Sequence, residues 1–146
     1  MLRGLKEMLF GTPVKRVEEW SHDRLGTLRF DDDVGCWRAA LDAQGRRIGF
    51  LIAGKDQPDP ALLQHAVDVL DDVGNFRARV AAFLQDEANR QPHFASEIAQ
   101  LQIEDLNLFW PNRPNDGMIY FSGPDEFRVW RCDYVNRTPK DLGFDS

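Results

Sequence analysis

The stretch from Met118 to Phe144 constrains the fold most, because it joins two aromatic-rich runs through the turn-forming segment Ser122-Gly123-Pro124-Asp125. Glycine, proline, serine and aspartate each favour a reversal of the chain, so the stretch reads as a β-hairpin. Successive side chains of a strand point to opposite faces, which puts Phe127, Val129 and Arg131 on one side and Trp130, Cys132 and Tyr134 on the other. Both sides carry apolar groups. A strand of this kind lies inside a sheet, with one face covered and the other partly covered. Arg128 and Arg131 then need water or carboxylate partners.

The first third of the chain repeats the same period. Alternating runs at 25–30, 36–41 and 47–53 predict three strands, with a further one at 14–20, and turns fall at Asp31-Asp32-Asp33-Val34-Gly35 and Asp42-Ala43-Gln44-Gly45. Leu28, Phe30, Trp37, Ala39, Leu41, Ile48, Phe50 and Ile52 make the buried face of this meander, while Arg29, Arg38 and Arg47 reach water. Ahead of it, residues 1–10 place Leu2, Leu5, Met8 and Leu9 at helical spacing. This is a short amphipathic helix expected to pack on the domain's own core, with surface or partner docking as its functional alternative.

The period changes at Asp59-Pro60, where an aspartate that accepts from free N–H groups precedes a proline suited to the first helical position. Leu62, Leu63, Ala66, Val67, Leu70 and Val73 form the stripe of a helix that Gly74-Asn75 breaks. Phe76, Val80, Phe83 and Leu84 then form the face of a second helix capped by Asn75. A short helix over 94–100 and a strand over 102–110 follow, and residues 111–117 form the clearest loop in the chain. Phe144 is expected to be tied down by packing. The result is one α+β domain over residues 1–146: a largely antiparallel sheet in two meanders, with a central helical hairpin on one face. Periodicity does not say whether the meanders share a sheet.

Composition narrows the function classes. Twenty-four acidic against eighteen basic side chains give a charge of −6, which opposes binding to a phosphate backbone and steers a basic protein partner inward. Nucleic acid is not an expected ligand, and no stretch approaches the ~20 apolar residues of a membrane span. Cys36 and Cys132 belong to no metal-binding spacing. They read as buried free thiols of a reducing, cytoplasmic compartment, or as a disulfide if their strands are neighbours. His65 has no nucleophile at a recognisable spacing and reads as a surface or boundary side chain. Asp31, Asp32 and Asp33 lie too close together for a calcium loop of the helix-loop-helix kind. No catalytic residue, metal site or cofactor is therefore expected.

The order Trp130-Arg131, then Tyr134, then Leu142-Gly143-Phe144-Asp145 after a two-helix insert resembles uncharacterised bacterial proteins of unknown function. Some of these look similar to immunity proteins encoded beside polymorphic toxins. The resemblance implies a non-enzymatic bacterial protein-binding domain that occludes a cognate toxin, and it assigns a role to no single residue. The residues themselves nominate an acidic contact surface of Asp31, Asp32, Asp33, Asp116, Asp125 and Glu126. Trp110 and Trp130 are its possible aromatic anchors, with core packing the commoner fate of a tryptophan. Two alternatives stand beside it. One is a small-molecule pocket between sheet and helices reached by Arg128 or Arg131. The other is a structural homodimer built on an exposed strand edge.

Overall fold

A computed structural model describes residues 18–145. The helix expected over 1–10 and the first residues of the strand expected over 14–20 lie outside that range. Eight strands form one sheet in strictly sequential order: β1 (Glu19–His22), β2 (Gly26–Asp31), β3 (Cys36–Ala43), β4 (Arg46–Ala53), β5 (Gln102–Leu108), β6 (Gly117–Ser122), β7 (Val129–Val135) and β8 (Thr138–Asp145). All neighbours are antiparallel except β4 and β5, which run parallel from Gly49 opposite Asp105 to Ile52 opposite Leu108. The two meanders are thus halves of one sheet, joined at that pair.

A parallel neighbour needs a crossover, and the helices supply it. Helix α1 (Pro60–Asp71) begins where the Asp59 carboxylate accepts the N–H groups of Ala61 and Leu62 at 3.0 and 3.1 Å. Helix α2 (Val73–Arg90) starts two residues later, so the break falls at Asp72 and not at the expected Gly74-Asn75. Those two residues sit in the first turn of α2, where a glycine is tolerated, and the Asn75 amide donates to the Asp72 carboxylate at 2.7 Å. A single turn of 3-10 helix at Pro92–Phe94 and the short α3 (Ala95–Ile98) complete the crossover.

Among the described residues, α1, α2 and α3 lie on one face. Leu28, Trp37, Ala39, Ile48, Phe50, Ile52, Leu106, Ile119, Phe121, Trp130, Cys132 and Tyr134 project from the sheet against Leu62, Ala66, Val69, Phe76, Val80 and Leu84 of α1 and α2. β4 lies mid-sheet and is buried from Ile48 to Ile52 on both faces, as the near-continuous apolar run of a central strand requires. β5 contains an irregularity between Ile103 and Asp105. It lets Ile103, Leu106 and Leu108 all face the helices, where unbroken alternation would turn Ile103 outward.

The opposite face carries no helix among the described residues. One row across it reads Arg29, Arg38, Leu51, Asn107, Met118, Asp133 and Lys140, and the next reads Ala40, Gly49, Asp105, Tyr120, Arg131 and Gly143. Among the described residues the sheet edges are β1, only four residues long, and β8, which carries Pro139 and a left-handed Asp141 at φ 57°. Short edges and edge prolines both discourage pairing with a second chain.

Candidate functional site

Strand direction separates the acidic candidates. The β2–β3 turn with Asp31, Asp32 and Asp33 lies at the same end of the sheet as Trp110 and Asp116, whereas Asp125 and Glu126 lie in the β6–β7 loop at the opposite end. They form no single patch. Three of the six also hold local structure: Asp31 accepts the N–H of Asp33 at 3.0 Å and pairs with Arg38 at 3.2 Å. Asp116 accepts the Asn136 N–H at 2.9 Å, and Asp125 accepts that of Phe127 at 2.9 Å. Asp32 and Glu126 are exposed.

Neither tryptophan is an open anchor. Trp110 is half-buried with the Arg113 guanidinium 4.6 Å above its ring. Trp130 is 0% exposed. Its ring packs against Phe94 and Phe144 at 5.7 and 4.8 Å, and its Nε1 donates to the Glu97 carboxylate. The same carboxylate takes a bidentate pair of bonds from Arg128, whose guanidinium also lies 5.5 Å from the Phe94 and Phe144 rings. Arg128 holds Glu97 below the usual carboxylate range. Phe144 is tied down, as its place in the sequence suggested.

Arg128 is therefore committed to Glu97 and Asp125, and Arg131 to Asp145 at 3.1 Å on the sheet face opposite the helices. Neither is among the residues that line the cleft between the sheet and α2. The exposed aromatic is instead Phe127. It falls outside β7, in the loop between β6 and β7, and is 77% exposed beside Val129 at 45%. Its alternation with Trp130 marked it as a strand residue, and nothing local showed that the turn extends through residue 128.

The reactive side chains are used structurally. Cys36 and Cys132 are free and buried, on nonadjacent strands. Burial raises both thiols, that of Cys132 to about 12. His65 is buried at 2% exposure, contrary to its expected place at the surface or boundary, with Nε2 3.0 Å from the Tyr134 hydroxyl. Burial and then the Arg137 charge lower it to about 4. Among the described residues no group of three or more His, Cys, Asp or Glu could hold a metal ion, and no helix is long and apolar enough to cross a membrane.

A cleft of about 710 Å³ lies where β4 and β5 diverge. Arg38, Arg46, Arg47 and Arg77 line it together with Glu104, Asp105 and the apolar side of α2. None of these arginines was singled out as a site residue by local pattern, since their grouping depends on the parallel pairing. The fold and its surfaces together define an α+β domain with an exposed aromatic loop and an arginine-lined cleft. Comparison with models of protein families, with curated proteins and with solved structures finds no match to this chain.

Proposed function

We propose that this chain is a non-enzymatic protein-binding domain, in particular a bacterial immunity protein that occludes a cognate toxin, and that the β6–β7 loop is its contact. The observation that carries the reading is the exposure of Phe127 and Val129 side by side, flanked by Asp125 and Glu126. An aromatic side chain held out by a structured turn fits the buried anchor of an interface, and acidic neighbours suit a basic partner. The charge of −6 adds long-range attraction for such a partner.

The test begins with native mass spectrometry of the tagged chain captured at low salt, followed by titration of the partner so found. Phe127→Ala is expected to weaken that complex by roughly thirtyfold, the scale of a hot-spot truncation. Co-expression with the captured protein should relieve its toxicity, and Phe127→Ala should lose that protection. Unchanged affinity for both Phe127→Ala and the Phe127→Ala, Val129→Ala double variant would remove the loop from the interface and the reading with it.

A further inference from the structure

The cleft at the β4–β5 junction is separate from the Phe127 loop, and its inference does not depend on a protein partner. Pairing of these parallel strands begins only at Gly49 opposite Asp105. Before that point, residues 46–48 pair with β3 alone and residues 102–103 with β6 alone, so the two strands part and leave a gap in the sheet. Helix α2 roofs the gap with Arg77, Val80, Ala81 and Leu84, positions that recur on one side of a helix. A volume of about 710 Å³ is within the ~300–1,000 Å³ of small-molecule sites.

The charge of this cleft runs against that of the protein. Four arginines and only two acidic residues, Glu104 and Asp105, line it, in a chain of net charge −6. Arg38 alone of the four has an ion-pair partner among the described residues, Asp31. Arg77 donates to two neutral acceptors, the carbonyls of Ala43 and Arg46, at 2.5 and 3.1 Å. Burial and then the charge of Arg46 both disfavour its protonated form. Grouped cations that outnumber the neighbouring carboxylates repel one another, and an anion entering the gap would relieve that repulsion.

We propose that the cleft binds a small organic phosphate, with the phosphoryl group among Arg46, Arg47 and Arg77. Hydroxyl or amine donors on the body of the ligand would face Glu104 and Asp105. Guanidinium forks match phosphate oxygens bidentately, and a phosphoryl group offers three acceptor oxygens where a carboxylate offers two. The apolar wall of Val80 and Leu84 covers the ligand's carbon skeleton.

Isothermal titration of the full chain at low ionic strength with glycerol 2-phosphate, and in parallel with citrate, tests this. Saturable binding of glycerol 2-phosphate is expected, stronger than that of citrate. Arg46→Glu and Arg47→Glu should each weaken it about tenfold or more. Both side chains are exposed and make no hydrogen bond with a described residue, so these variants should fold as the parent does. Arg131→Glu, outside the cleft, should leave binding unchanged. No saturation at millimolar phosphate ester, equal weakening by Arg131→Glu, or tighter binding of citrate would overturn the proposal.

Discussion

His65 and Tyr134 meet in the core from positions 69 residues apart, one on α1 and one on β7. Burial lowers the imidazole from 6.5 to about 4, so the native state keeps it neutral while the unfolded chain protonates it near 6.5. Between those values the unfolded state holds more protons, and stability must fall as pH is lowered through the window. The contribution is fully present above 6.5, and about 1.4 kcal/mol of it is lost for each pH unit descended within the window. Urea unfolding as a function of pH should show this loss, and His65→Gln should flatten it between about 4 and 6.5. An unchanged slope would mean that other groups set the dependence. The carboxylates of Asp68 and Glu97, both lowered, give up their contribution as pH falls from their ordinary values of 3.8 and 4.5 downward, so the span from about 4.5 to 6.5 is left to the histidine. The chain placed His65 between apolar helical positions, yet its burial was not legible, because its hydroxyl partner lies on a distant strand.

Helix α1 was legible from its own residues, since Asp59 and Pro60 act on the backbone next to them. The end of α1 was less so: Gly74-Asn75 carries a breaker's composition, but the turn at Asp72 is set by how α2 packs. The junction of β4 and β5 depends on a still less local feature. A Cβ at Gly49 would run into the Asp105 carboxylate and press within 3.2 Å of the Glu104 carbonyl, so the glycine is what lets Asp105 lie across β4. Gly49→Ala is expected to cost about 1–3 kcal/mol, the usual range of an overpacked site. In an Asp105→Ala background most of that cost should vanish, as contacting residues do not behave additively. Urea midpoints of the four chains measure the coupling, and additive effects would show that the carboxylate simply swings away.

At the scale of the molecule, one parallel seam makes two meanders into a single sheet. Leu106 lies on that seam, paired with Phe50 on one side and Ile119 on the other, and is 0% exposed. Leu106→Ala is expected to destabilise the protein by about 2–5 kcal/mol. Native-state hydrogen exchange should show that loss equally in β3 and β7, because both strands share one core; a loss confined to β7 would mean two separately folding halves. Period-two runs, turn chemistry and the Asp59 cap are local properties, and by themselves they determined the α+β class, most of the strand positions and the helical pair between the meanders. What only the tertiary structure decided is how distant pieces meet. The parallel pairing of β4 with β5 merged the meanders and gathered Arg38, Arg46, Arg47 and Arg77 around one gap, while packing between sheet and helices buried Trp130 and His65. Each of those outcomes rests on contacts between residues far apart in the chain, which local periodicity does not encode.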